Sequence, residues 1–316
     1  MVRAQKLGAW LMVAAIVGLA APRRADAACL FNCTYTKTRF PVVLAHGLAG
    51  FDKVFGTVEY FFGIPEALRD GGAEVYVTQV SAYNTSEERG EQLLAQIEQI
   101  VATSGQPKVN IIGHSQGGLD ARYVAAVRPD LVASVTTVGT PNGTDPLVDA
   151  VVSAYDSGQG FGALLQIFGP SIVDLVVLVT DSDQPEDSIG AFRSLTTPAM
   201  AEFNARYPQG LPTTPCGQGP AVVNGIHYYS WGGTGVLTNP LDVSDPLLAL
   251  FSPLTSGPND GFVGRCSTHL GQVIRDNYLL NHFDEVNQIA GLRSPFVVDP
   301  RSIYRDHANR LKNAGL

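Results

Sequence analysis

Positive charge is what this chain of 316 residues most conspicuously lacks: 21 Lys and Arg stand against 29 Asp and Glu, for a net charge of −8. Polyanions are held through clustered basic residues, so the balance argues against a nucleic-acid partner. Long apolar runs are missing too. The Gly8–Ala21 run is shorter than the ~20 residues that span a bilayer, which argues against a membrane anchor. Cysteine is scarce, with four residues and no paired C-x₂-C spacing, so a structural zinc site has little support. Internal repeats and low-complexity segments are absent, glycine and proline being dispersed along the chain.

The short apolar run has a different use. Arg3 and Lys6 precede it and Ala25-Asp26-Ala27 follows, which is the layout of a secretory signal peptide cleaved near Ala27. Residues 1–27 are therefore excluded from the fold, and the remaining 289 or so suffice for one large α/β domain, 28–316. After cleavage 17 basic residues face 28 acidic ones, and the protein is expected to be secreted. All four cysteines, Cys29, Cys33, Cys216 and Cys266, lie in the exported part, where disulfides form; three pairings are open.

Val109-Asn110-Ile111-Ile112-Gly113-His114-Ser115-Gln116-Gly117-Gly118 is the most informative stretch. A β-branched run stops at a glycine, a serine follows, and two glycines lead into a helical pattern at Leu119–Val124. This is G-x-S-x-G in strand–turn–helix context, the nucleophile elbow that exposes a serine above a sheet. Around it, Phe40–Ala45, Ala73–Val80 and Val132–Val138 read as strands. Helices are expected over Val54–Arg69 and from the Thr85-Ser86-Glu87-Glu88 capping box to Thr103. Strands alternating with helices imply a mostly parallel central sheet flanked by helices, with ligands at the carboxyl ends of its strands. The loop His46-Gly47-Leu48-Ala49-Gly50 and Ser115 are then expected to converge there.

From Asp145 to Asp183 the character changes. Phe161–Val179 is nearly uncharged and broken by Gly169-Pro170, which fits either two buried helices or a helical lid over the site. Its position just after a strand, above the serine, favours a lid insertion at about 145–183. Pro198–Tyr207 and Ser302–Lys312 read as helices and Ile226–Trp231 as a strand. The stretch from there to about Asn281 reads as loop-rich.

A serine hydroxyl needs a general base, and the base needs an orienting acid; in this arrangement they follow in the order Ser, Asp or Glu, His. His227 lies in a strand and His307 on the terminal helix. His282 stands before Asp284–Ile289, read as a helix start, and is the favoured base over His269. For the acid, Asp260 in the Asn259-Asp260-Gly261 turn competes with Asp242 and Asp245, and spacing alone does not choose.

Taken together, Pro41–Leu48, Gly113–Gly118, Leu237–Asp242, Asn259–Gly261 and Asn281–Gln288 resemble the Pseudomonas/Burkholderia-type secreted triacylglycerol lipases over nearly all of the chain from Tyr35 onward. The resemblance implies an α/β-hydrolase fold and a triad of Ser115, Asp260 and His282. It also implies an oxyanion hole on the backbone N–H groups of Leu48 and Gln116. One structural Ca²⁺ would be held by the Asp242 and Asp284 carboxylates and the Gln288 and Leu292 carbonyls, an all-oxygen set. The family disulfide maps to Cys216–Cys266, a ~50-residue loop for which chain entropy gives roughly 4 kcal/mol. Cys29 and Cys33 lie outside the resemblance.

The resulting expectation is a monomeric, secreted lipase acting on acylglycerols at a lipid–water interface, with a lipase-specific foldase chaperone as the partner that the family implies. A carboxylesterase for soluble short-chain esters is the rival with the same triad. A non-catalytic α/β-hydrolase-fold binding protein is disfavoured because all three triad positions are present.

Overall fold

Hydrophobic runs with no polar alternation build the centre of the molecule. In the computed structural model, which describes residues 33–50, 53–54, 58–159 and 187–316, strand β1 (Val42–Ala45) is buried at every position. Next come β2 (Lys53–Val54) and β3 (Val58–Glu59), helix α1 (Ile64–Arg69), β4 (Val75–Thr78) and α2 (Ser86–Ser104). Strand β5 (Val109–His114) leads into α3 (Gln116–Val127), then β6 (Val132–Val138) and α4 (Pro146–Ala154). Further along lie α5 (Ser188–Ser194), α6 (Thr197–Arg206), β7 (Val222–Val223), β8 (Ile226–Gly233), α7 (Asp245–Phe251), β9 (Gln272–Tyr278) and α8 (Pro300–Asn313).

Seven strands form one sheet in the order β4-β1-β5-β6-β8-β7, with β9 also on β8. All pairings are parallel except that of the two-residue β7. Such a sheet must be covered on both faces, and the pleat divides the burden. Val43 and Ala45 face Leu93, Ile97 and Ile100 of α2 and Val124 of α3. Val42 and Leu44 face Phe61, Ile64, Leu68 and, from α8, Tyr304 and Ala308. Each such aliphatic side chain contributes about 1.5–3 kcal/mol by leaving water. Helix α2 begins where the Thr85 hydroxyl accepts from Glu88 N–H at 3.3 Å and ends at Gly105, φ 68°. Both ends were legible from residue type.

Three expectations change. The helix expected over Val54–Arg69 is present, among the described residues, only at Ile64–Arg69. Gly63 at φ 67° and the early Pro65 start it there, while Lys53–Val54 pairs antiparallel with Val58–Glu59. The helix start expected at Asp284 is a single 3₁₀ turn, Asp284–Val286, ended by Asn287 at φ 59°. The stretch read as loop-rich contains α7 and the half-exposed strand β9, whose polar Gln-Val-Ile-Arg-Asp-Asn-Tyr sequence hid its pairing with β8.

Cys216 and Cys266 form a disulfide across 50 residues, and Cys33 is disulfide-bonded as well. The segment 1–27, Cys29 and Phe161–Val179 of the expected lid lie outside the described residues. No helix among the described residues is long and apolar enough to cross a membrane.

The terminal helix carries a buried histidine. His307 Nε2 meets the Thr136 hydroxyl at 2.7 Å, and its ring lies 5.2 Å from that of Trp231. Burial, with Arg310 adding to it, holds the imidazole well below its ordinary value of 6.5. The native state therefore refuses a proton that the unfolded chain accepts below pH 6.5, so this contribution to stability is lost as pH falls. The stability advantage of wild type over His307→Gln is expected to be constant above about pH 7.5. Below pH 6.5 it shrinks by up to about 1.4 kcal/mol per pH unit, read from urea denaturation at several pH values.

Candidate active site

Ser115 stands between β5 and α3 with φ 54° and ψ −129°, a conformation costly for a residue with a side chain. The turn is held from several directions. Ser115 N–H donates to the Val138 carbonyl at 2.8 Å, fixing it to the end of β6. A side chain at position 113 would run into the Gly117 carbonyl, and one at 117 into the carbonyls of Ala45 and His46. These two glycines allow α3 to cross the sheet edge closely enough to present the serine.

His282 follows β9, and its Nδ1–H donates to Asp260 Oδ2 at 2.7 Å. The other carboxylate oxygen, Oδ1, accepts from the N–H groups of Phe262 at 2.9 Å and Val263 at 2.7 Å. His282 N–H donates to the Asp260 carbonyl at 2.9 Å, so main chain and side chain join the two residues. Asp260 is fully buried and His282 nearly so. The His282 ring lies 4.6 Å from that of His114, the residue before Ser115. The rivals lie elsewhere. Asp245 accepts from the N–H groups of Thr238 and Asn239 and from Asn281 Nδ2, while His269 pairs with Asp276 at 3.0 Å beside the disulfide.

Leu48 follows β1 on the loop facing Ser115; a Cβ at Gly47 would lie 2.6 Å from that of Ser115. Gln116 N–H belongs to the first turn of α3, outside the helical ladder. Among the described residues no group accepts from the N–H of Leu48 or of Gln116. Arg89 secures the loop from below, donating to the His46 carbonyl at 2.6 Å, to the Ser81 carbonyl, and to Asp120 at 2.9 Å. His46 is buried and held down to about 3, by desolvation first and the Arg89 charge second. Its neutral ring donates from Nδ1 to the Gly47 carbonyl and accepts Val80 N–H at Nε2.

Asp242 and Asp284, whose carboxylates the resemblance maps to calcium, are buried, and among the described residues Asp242 Oδ2 and Asp284 Oδ1 have no hydrogen-bond partner. Burial pushes both carboxyls up, Asp284 to about 6, where the Asp242 and Asp245 charges add to it. Two buried carboxylates, each with an unsatisfied oxygen, fit a hard divalent cation. A separate buried cluster, His114, His282 and Glu285, has ligand atoms within 4.8 Å of one another. Its two imidazoles do not match the oxygen donors that calcium prefers. Glu285 escaped the sequence reading, although it lies in the Asn281–Gln288 motif. It is fully buried 3.7 Å from His114 Nε2, and burial, with the Asp260 charge adding, holds its carboxyl well above the ordinary value of 4.5.

A family profile described as alpha/beta hydrolase fold matches residues 41–210. A triacylglycerol lipase of Vibrio cholerae is 50% identical over 283 residues, covering 89% of this chain and 90% of that protein. One from Pseudomonas fragi is 44% identical over 290 residues, covering 88% and 98% respectively. The crystal structure of Staphylococcus hyicus lipase superposes with a TM-score of 0.60 at 18% identity, covering 88% of this chain and 97% of that one.

The glycine requirement at the elbow is open to direct test. Gly117→Ala is expected to cost about 1–3 kcal/mol through overpacking, read as a lowered urea midpoint. By displacing Ser115 it is expected to slow reaction with a fluorophosphonate about a hundredfold.

Proposed function

Since this chain belongs to the triacylglycerol lipases of the α/β-hydrolase fold, we propose that it hydrolyses acylglycerol esters through Ser115, His282 and Asp260. The observation that carries the reading is the strained, presented Ser115 on the same sheet edge as a His282–Asp260 pair at 2.7 Å. In this mechanism His282 Nε2 takes the Ser115 proton as the oxygen attacks the ester carbonyl. Asp260, already holding Nδ1–H, fixes the tautomer and stabilises the imidazolium that forms. The Leu48 and Gln116 N–H groups receive the oxyanion, each such donor being worth about 10²–10³ in rate. His282 then protonates the leaving alcohol, and water activated by the same ring releases the fatty acid from Ser115.

The residues at 145–183 form the lid in this reading, opening toward lipid. The soluble-ester rival keeps the triad and lacks that response. Residues 1–27 direct secretion, and a foldase assists folding. Hydrolysis of tributyrin is expected to jump as the substrate passes its solubility limit and to fall by at least about 10⁴-fold in Ser115→Ala. Wild-type rates in Ser115→Ala, measured by pH-stat titration, would sink the assignment. A linear rise through the solubility limit would favour the esterase.

Asp242 and Asp284, with the Gln288 and Leu292 carbonyls, would hold calcium, whose contribution is to neutralise two buried carboxylates and brace the turn behind His282. Chelation by EDTA is expected to lower the melting temperature by several degrees, and added calcium to restore it. In Asp284→Asn that response should be largely lost. Calorimetry with an unchanged transition after chelation would refute the site.

A further inference from the structure

We propose that Tyr60 is a positioning residue that sets the spacing of the two oxyanion donors, an inference resting on the oxyanion hole assigned above. Its hydroxyl accepts from Gly47 N–H at 3.1 Å and hydrogen-bonds with His114 Nδ1 at 2.7 Å. Gly47 immediately precedes Leu48, and His114 lies two residues before Gln116. One oxygen atom therefore touches both chain segments that carry the donors.

The need for such a link follows from the sheet. Strands β1 and β5 pair from Val42–Asn110 to Ala45–Gly113, and the register ends there. Beyond that rung the main-chain ladder stops as the segments pass into a glycine loop and a strained turn, just where the donors must be held to a fraction of an ångström. The Tyr60 hydroxyl supplies a side-chain rung one step past the last main-chain one.

The hydroxyl is itself well anchored. Tyr60 is buried, with ring centroids 5.1 Å from Phe61, 5.8 Å from His46 and 5.7 Å from His114. Its carbonyl accepts from Gln288 Nε2, which also reaches the Glu59 carbonyl at 3.3 Å, and Asn287 Nδ2 donates to the Phe62 carbonyl at 2.8 Å. Main chain on one side and aromatic packing on the other leave the oxygen little freedom.

Tyr60→Phe keeps the ring and deletes the oxygen. In the full-length enzyme, assayed well below the melting temperature, kcat on a soluble p-nitrophenyl ester is expected to fall about tenfold to a hundredfold, with KM within about twofold. An arylboronic acid, which forms a tetrahedral adduct on the serine, should weaken by the same factor as kcat/KM. His114→Phe removes the other end of the link. It should reproduce the loss, and the double variant should be no worse than either single one. Should Tyr60→Phe fail to fold, the His114→Phe kinetics and boronate affinity decide alone. An unchanged kcat with a lowered melting temperature, a rise confined to KM, or additive losses in the double variant would each overturn the role. Failure of the triad itself looks different: a fluorophosphonate would then leave Ser115 unlabelled in the wild type.

Discussion

The approach of helix α3 to the end of β1 is the constraint on which the rest of the site depends. At Gly117 the helix backbone rests against the carbonyls of Ala45 and His46, with no room for even a methyl group. That contact turns the chain sharply at Ser115 and brings the Gly47–Leu48 loop against the serine. Strain at Ser115 is tolerated because the surroundings over-determine it: glycines on both sides, β6 through the Val138 carbonyl, and central strands β1, β5 and β6 buried on both faces.

Electrostatics at the site follow from the same tight packing. His46 and His114 are buried and kept neutral, while Asp120 and Glu285 are pushed up, Asp120 to about 7 despite its Arg89 partner. A neutral His46 can both donate and accept, and so can shape the Gly47–Leu48 loop from inside. Asp260 differs in its surroundings. Two backbone N–H groups and the His282 ring converge on its carboxylate, so that both of its oxygens have hydrogen-bond partners.

Much of this was written in short-range signals. β1, β5 and β6 read as strands because parallel strands covered on both faces need unbroken apolar or β-branched runs, and the elbow reads from its glycines. Capping marked both ends of α2. What stayed hidden depends on distant partners. Nothing local distinguishes Asp260 from Asp242 or Asp245; only the fold sets one on His282 and engages Asp245 with Thr238, Asn239 and Asn281. Strand β9 exists because β8 offers an edge to its half-polar sequence. Tyr60, in a segment taken for helix, has a meaning that no spacing conveys, since its partners are Gly47, His114 and Gln288.

The hooks from Asn287 and Gln288 onto the Glu59–Phe62 segment span 225 to 229 residues of chain. Contacts so far apart in sequence close late, after the loop entropy between them has been lost. A growing polypeptide that has emerged only as far as Asn281 already has the β1, β5 and β6 segments and the elbow, yet it has neither His282 nor the anchors of Tyr60. Ester-cleaving power on the proposed mechanism is thus a property of the finished molecule alone. During its synthesis, the lipids of the cell that makes it face an incomplete tool.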